Sequence, residues 1–267
     1  MSNVQGMSDP NYVSKQYRDG SNLNARIRLH QLFSVNQYGW QRWLFDQMKL
    51  EANSKVLELG CGTGELWLEN LERIPKGVEV VISDFSEGMV EQVQKNLKNQ
   101  PNFQYKVIDA QAIPFEDDRF DFVIANHMLF HLPDREKGLS EIKRVLKPSG
   151  WLFASTIGKN NLIEINEMVT RFEPQFATWN TLASDSFSLE NGEAQLRKHF
   201  SSVTLHRYPD SLMVTEAKPL IEYVFSGRLQ LSDERKAKLV EFIEREFSDH
   251  GGRIFLTKDS GLFVAKN

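Results

Sequence analysis

Five short apolar runs alternate with amphipathic stretches between residues 55 and 157, and this pattern constrains the fold more than any other feature of the chain. The runs are KVLEL, VEVVISD, FQYKVID, FDFVIAN and WLFASTI. Between them, residues 86–99 and 137–146 carry apolar side chains at helical spacing. Strands that are apolar on both faces are typical of a parallel sheet with helices on either side. The sequence therefore predicts an α/β fold.

The segments outside this region predict helices and two further strand regions. Helical spacing recurs over residues 11–50, 161–172 and 189–200, and residues 202–208 predict a sixth strand. Residues 253–266 form two apolar runs around the turn-like Asp259-Ser260-Gly261, which indicates a hairpin or a bent strand.

No Pro-, Gly- or Ser-rich linker divides the chain. We therefore expect one domain over residues 1–267. It would consist of a helical cap at 1–50, a core at 51–157, and further helices and the last strands at 158–267.

Composition narrows the range of partners. The 267 residues carry a formal net charge of −4, and a nucleic-acid-binding protein usually has a basic surplus instead. There is no basic-then-apolar leader at the N-terminus and no apolar run of membrane-spanning length, and Cys61 is the single cysteine. These features predict a cytoplasmic protein without a nucleic-acid or membrane partner, present as a monomer or homodimer.

The stretch VLELGCGTGELW, residues 56–67, places three alternating glycines directly after the first strand. Glycine in such a turn lets the backbone approach a ligand at the carboxyl end of the sheet. The dinucleotide pattern G-x-G-x-x-G fails here because Glu65 occupies its third glycine position, and no Gly-Lys-Ser/Thr follows as in a phosphate-binding loop. The turn therefore predicts a ligand without a pyrophosphate.

This stretch resembles motif I, E/D-x-G-x-G-x-G, of the class I S-adenosylmethionine-dependent methyltransferases. The likeness continues in order through SDFSEGMV at 83–90, IDAQAIPFEDDRFDFVIANHMLFHLPD at 108–134 and EIKRVLKPSGWLFAST at 141–156. It covers about residues 53–157. The resemblance implies a Rossmann-like, seven-stranded sheet with helices on both faces, with S-adenosyl-L-methionine as the cofactor.

The resemblance also implies roles for individual residues. The first strand and the glycine turn would hold the methionine part of the cofactor, Asp84 would accept both ribose hydroxyls, and Asn126 would lie beside the sulfonium. The residues assigned to the cofactor in this way are Glu58, Gly60, Cys61, Gly62, Asp84, Phe85, Met89, Asp109, Ala110 and Asn126. Met89 fits the apolar core of a helix equally well, and Cys61 fits a small packing residue better than a nucleophile.

His127 and His131 lie just after the fourth strand, where an acceptor would approach the cofactor. Their H-x-x-x-H spacing lacks the glutamate of a helical zinc site, so we expect no metal. His127 is the candidate general base, although a structural role remains open for it. His131, Tyr12 and Tyr17 are candidates for binding the acceptor.

The sequence as a whole predicts an enzyme that transfers a methyl group in line to a small-molecule acceptor. A nucleotide-dependent oxidoreductase and a non-catalytic S-adenosylmethionine-binding protein are the alternatives. Residues 11–48 would form either a lid over the acceptor or a permanently docked helical layer.

Overall fold

A computed structural model describes residue 9 and residues 21–98, 100–174, 179–227 and 231–267. Its centre is one seven-stranded sheet. The strands are β1 Lys55–Leu59, β2 Glu79–Asp84, β3 Phe103–Val107, β4 Phe120–Asn126, β5 Leu146–Ile157, β6 Ser202–Val214 and β7 Ile254–Lys266. Their order in the sheet is β3-β2-β1-β4-β5-β7-β6, and β7 alone runs opposite to the other six strands. The predicted seven-stranded α/β sheet is confirmed.

Ten α-helices surround this sheet within the described residues. They are α1 Ser21–Phe33, α2 Trp40–Met48, α3 Glu65–Leu68, α4 Glu87–Asn96, α5 Arg135–Val145, α6 Ile163–Phe172, α7 Trp179–Ser186, α8 Gly192–Leu196, α9 Ala217–Phe225 and α10 Asp233–Asp249. Short 3-10 turns span Leu71–Arg73 and Leu129–His131. None of the described helices is long and apolar enough to cross a membrane.

Both faces of the central strands are buried, as their unbroken apolar sequences predict. On β1, Leu57 and Leu59 belong to the core shared with α5, α7 and α8, whereas Val56 faces the core shared with α2, α3 and α4. The sheet therefore lies between two helical layers. This arrangement leaves its carboxyl edge open to a ligand.

The C-terminal strands depart from the sequence prediction. Residues 254–266 form one continuous strand, so the hairpin interpretation is wrong. The sixth strand also runs six residues beyond its predicted end at 208. Because β5 pairs only with residues 260–266 of β7, residues 209–214 and 254–259 continue past β5 as a two-stranded extension. We call this extension the ribbon.

The ribbon anchors the N-terminal helices. Ser34 forms an isolated bridge with Leu212, and the buried Arg26 side chain donates to the backbone oxygen of Ser226 at 2.8 Å. Leu29 of α1 is completely buried in a third core formed by α1, α6, α9, α10 and the ribbon. These contacts favour the docked layer over the lid for residues 21–48.

Candidate functional site

A cavity of about 690 Å³ opens at the carboxyl edge of the sheet. We call the part against β1, β2 and the loop after β3 the sheet half, and it is lined by Glu58, Gly60, Gly62, Asp84, Phe85, Asp109 and Ala110. We call the part against α1 and β7 the ribbon half, and it is lined by Ile27, His30, Ser34, Asn161, Lys258 and Ser260. Trp40, Asn126 and His127 line the cavity between the two halves.

The turn after β1 depends on its glycines. Gly60 has φ +70° and Gly62 has φ +54°, a region that disfavours side chains. A Cβ atom at Gly60 would lie 2.7 Å from the Cβ of Met128. The turn therefore presents bare backbone to the cavity, and the Cys61 N–H fixes it by donating to the Ser83 oxygen at 2.9 Å.

Asp84, the last residue of β2, closes this turn from the other side. One carboxylate oxygen accepts from the Gly62 N–H at 3.0 Å, and the other accepts from the Ser86 N–H at 2.9 Å. Burial raises the pKa of Asp84 to about 6. Beside it, the Phe85 side chain is 43% exposed, which makes it an aromatic surface at the cavity rim.

Glu58 lies deeper, at the floor of the sheet half. It is 1% exposed, and its Oε2 accepts from the Trp67 indole N–H at 2.6 Å. Burial raises the pKa of Glu58 to about 8, against the opposing effect of this hydrogen bond. A cationic group brought to this carboxyl would therefore stabilise its ionised form.

Asp109 and Ala110 lie in the loop after β3. The Asp109 carboxylate accepts from the Gln111 N–H at 2.8 Å and from the Gln111 side chain at 3.1 Å. Both residues line the cavity. The three acidic residues of the sheet half thus come from the ends of three consecutive strands, as the motifs predict.

Asn126, at the end of β4, is held by two donors. Its Oδ1 accepts from the Ser155 hydroxyl at 2.6 Å and from the Trp40 indole at 3.3 Å. Trp40 also contacts His127, with 5.1 Å between ring centroids. The N-terminal helix α2 therefore contributes directly to the boundary between the two halves.

His127 has an unusual backbone conformation for a residue with a side chain. Its φ is +52°, and its N–H donates to the Ser155 hydroxyl at 2.9 Å. Such conformations concentrate at functional sites. Burial and the charge of Lys258 lower the pKa of His127 to about 4, so its imidazole is neutral at pH 7.

The two histidines of the H-x-x-x-H segment do not share an α-helix, because residues 129–131 form a 3-10 turn. His131 lines the cavity, and its ring packs on Phe130 at 4.7 Å. Within the described part of the chain, no cluster of three or more His, Cys, Asp or Glu side chains could hold a metal ion.

Three of the predicted site residues are not among those that the structure places at the cavity. Met89 is completely buried in α4 and is not among the lining residues. Tyr12 and Tyr17 lie outside the described residues. Cys61 does line the cavity, and burial raises the pKa of its thiol, which therefore stays protonated.

The ribbon half contains residues that sequence reasoning missed. Lys258 and Asp210 form an ion pair of 2.8 Å, with side-chain exposures of 8% and 0%. His30 of α1 lines the same half. The local sequence offered no signal for the pair, because the two residues lie on different strands and meet only through the register of β6 and β7.

The known proteins that this chain resembles include several methyltransferases. A sequence model described as a methyltransferase domain matches residues 57–154. The demethylmenaquinone methyltransferase of Staphylococcus saprophyticus is 34% identical over 149 residues, which is 55% of this chain and 64% of that protein. This chain thus spans less than two thirds of that relative's length.

Two solved structures share the fold at low identity. Phosphoethanolamine N-methyltransferase 2 of Haemonchus contortus, in complex with S-adenosyl-L-methionine, is 16% identical with a TM-score of 0.59, covering 100% of this chain and 60% of its own. The [4+2]-cyclase SpnF is 15% identical with a TM-score of 0.59, covering 97% and 96%. The chain therefore shares its fold with a methyltransferase and with a cyclase. Within it, residues 57–154 are similar to a methyltransferase domain.

Proposed function

We propose that this protein binds S-adenosyl-L-methionine in the sheet half and transfers its methyl group to a small molecule held in the ribbon half. One observation carries the proposal: the glycine turn and the Asp84 carboxylate line the same cavity. This cavity continues beyond His127 into the ribbon half. A cofactor bound at the turn would have space for an acceptor directly ahead of it.

The chemistry of the sheet half supports this cofactor. Glu58 would attract its ammonium, and Asp84 would accept its ribose hydroxyls, since charged acceptors make strong hydrogen bonds. Backbone at Gly60, Cys61 and Gly62 would contact the methionine part. Phe85, Asp109 and Ala110 would surround the adenosine, with Asn126 near the sulfonium.

When bound, the cofactor supplies an electrophilic methyl group. The protein's residues then act mainly by orientation, which is worth about 7–11 kcal/mol in favourable cases. Trp40 and Ser155 fix Asn126 through the hydrogen bonds described above. The neutral imidazole of His127 could accept a proton from an acceptor that arrives protonated.

For the acceptor we propose a ring compound of the quinol type. The relative from Staphylococcus saprophyticus is named for a demethylmenaquinone, although its likeness covers only part of both chains. The ribbon half offers the mixed lining that such a ring requires. Ile27 is apolar, whereas Asn161 and Ser260 are polar.

Calorimetry and a turnover assay test the proposal together. We expect tight binding of S-adenosylhomocysteine and none of NAD, followed by release of S-adenosylhomocysteine when a quinol is added to protein and S-adenosylmethionine. NAD binding without a response to S-adenosylhomocysteine would instead indicate an oxidoreductase. Binding without turnover on any acceptor would indicate a non-catalytic protein or a different reaction, as the name of the cyclase SpnF illustrates for this fold.

A further inference from the structure

The ribbon half carries a buried ammonium group that the proposed cofactor does not use. Lys258 lines the cavity and is 8% exposed. Its Nζ donates to Asp210 Oδ2 at 2.8 Å and lies 5.1 Å from the centre of the Tyr208 ring. A lysine ammonium has three N–H donors, and one hydrogen bond to Asp210 leaves others available to a ligand.

Asp210 does not offer its negative charge to the cavity. It is not among the lining residues, and its side chain is completely buried. Its carboxylate also accepts from the Ser34 hydroxyl at 2.6 Å, the Asn36 N–H at 2.9 Å and the Ser211 N–H at 2.8 Å. The pair is neutral overall, but the cavity faces its positive end.

Two uncharged imidazoles lie within the field of this ammonium. The charge of Lys258 contributes, after burial, to lowering the pKa of His30 to about 3 and that of His127 to about 4. His30 Nδ1 is buried without a hydrogen-bond partner among the described residues. An unsatisfied nitrogen in the same half of the cavity as a buried ammonium indicates that this half lacks a polar partner that a ligand could supply.

We infer that Lys258, with His30 beside it, forms a subsite that binds an ionised hydroxyl oxygen of an aromatic acceptor. The role of this subsite in methyl transfer rests on the proposed function, whereas binding of the oxygen anion to Lys258 does not. On binding, the acceptor's O–H bond breaks, its electron pair stays on the oxygen, and the proton leaves to solvent by way of the neutral His127 imidazole, the proposed base. The resulting oxygen anion makes the ring a stronger nucleophile toward the methyl group.

The geometry favours an aromatic hydroxyl over a carboxylate. Lysine presents a compact point charge, which suits a single oxygen, whereas planar carboxylates are matched by the forked guanidinium of arginine. The indole of Trp40 and the ring of His127 line the adjoining part of the cavity, where they could pack against an aromatic ring.

The test uses para-nitrophenol, whose ionised form is yellow, at a pH below the pKa of the free compound. It is titrated against the full chain, with and without S-adenosylhomocysteine. Para-nitroanisole, which cannot ionise, and para-nitrobenzoate, a carboxylate, are the comparison ligands. We expect yellow colour on binding, and affinity for the phenolate at least about tenfold above that for the anisole.

Three variants locate the effect. Lys258→Met should lose about tenfold in phenolate affinity, and the double variant Asp210→Asn with Lys258→Met should lose as much without leaving a buried charge unpaired. Lys266→Met is the matched control, because Lys266 is an exposed lysine on the same strand and should change nothing. All three should keep their affinity for S-adenosylhomocysteine.

The outcomes separate the inference from the proposed function. Equal phenolate affinity in the wild-type protein and the folded double variant would overturn the subsite. Binding of para-nitrobenzoate that depends on Lys258, with no preference for the phenolate, would overturn the hydroxyl assignment. Failure to bind S-adenosylhomocysteine would defeat the proposed function alone, since phenolate binding without it still tests Lys258.

Discussion

The two halves of the cavity are built by different means. The sheet half comes from strand ends and turns between residues 58 and 110, and its glycine turn presents backbone. The ribbon half is assembled from side chains of α1 and β7, which lie more than two hundred positions apart in the chain. The sheet half therefore depends on a local turn, whereas the ribbon half depends on long-range contacts between elements.

The halves also differ in charge. Glu58, Asp84 and Asp109 make the sheet half acidic, whereas Lys258 makes the inner surface of the ribbon half basic. The acidic half suits a cofactor that carries an ammonium and a sulfonium. The basic half suits an acceptor that carries an oxygen anion.

The largest expected effect concerns Asp84. On the proposed binding mode, replacing Asp84 with Ala removes two hydrogen bonds to the ribose, each worth about 1.5–3 kcal/mol for a charged acceptor. Affinity for S-adenosylhomocysteine should then fall about 10²- to 10⁴-fold, as measured by calorimetry. Glu87→Ala, an exposed change three residues away, is the control. Undiminished affinity in a folded Asp84→Ala protein would remove the sheet half as the cofactor site.

The next effect concerns His127. As a general base it would contribute about 10²-fold or more, so His127→Gln should lower kcat by that order while S-adenosylhomocysteine still binds. Because the pKa of His127 is about 4, the acid limb of kcat/KM should lie near pH 4. An unchanged kcat would assign His127 to structure only.

A pair of glycine variants tests whether the sheet half needs bare backbone. Gly60→Ala combines a positive φ with a Cβ contact of 2.7 Å to Met128, whereas Gly251→Ala has a similar φ of +66° and nothing within 4 Å. The positive φ alone should lower the free energy of unfolding of both variants by about 1–2 kcal/mol. Overpacking against Met128 should lower that of Gly60→Ala by about a further 1–3 kcal/mol. Chemical denaturation measures both. Equal losses would show that Met128 moves aside freely.

The last expected effect is a pH dependence of stability. The pKa of Glu58 rises from 4.5 to about 8 on folding, so the folded state holds this proton more tightly. Its contribution to stability is complete below about pH 4.5 and is lost as the pH rises toward 8. Glu58→Gln cannot titrate. Its Tm relative to the wild-type protein, without ligand, should therefore rise across this window, and a constant difference would contradict the burial argument.

The sequence was sufficient for the sheet and for most of the sheet half, because each motif there is local. Apolar runs predict the strands. Residues at the carboxyl ends of parallel strands meet at one edge of the sheet, whatever the order in which the strands pair. The structure brings Glu58, Asp84 and Asp109 to this edge. The role of Met89 could not be decided from the sequence, because a methionine on the apolar face of a helix has the same sequence pattern whether it faces a ligand or the core.

The ribbon half could not be predicted, because strand pairing overrode local turn propensity. Asp259-Ser260-Gly261 has the composition of a turn, yet Ser260 pairs with both Ile157 and Tyr208 in the sheet. A Cβ at Gly261 would lie 2.8 Å from the His206 oxygen, so this glycine permits close strand approach instead of a turn.

A crystal structure of the complex with S-adenosylhomocysteine tests the central claim, the division of the cavity, most directly. We predict the ribose hydroxyls on Asp84, the sulfur beside Asn126 and His127, and the ribbon half free to receive an acceptor next to Lys258. A ligand that lies in the ribbon half, or one whose sulfur faces away from Asn126, would contradict the account.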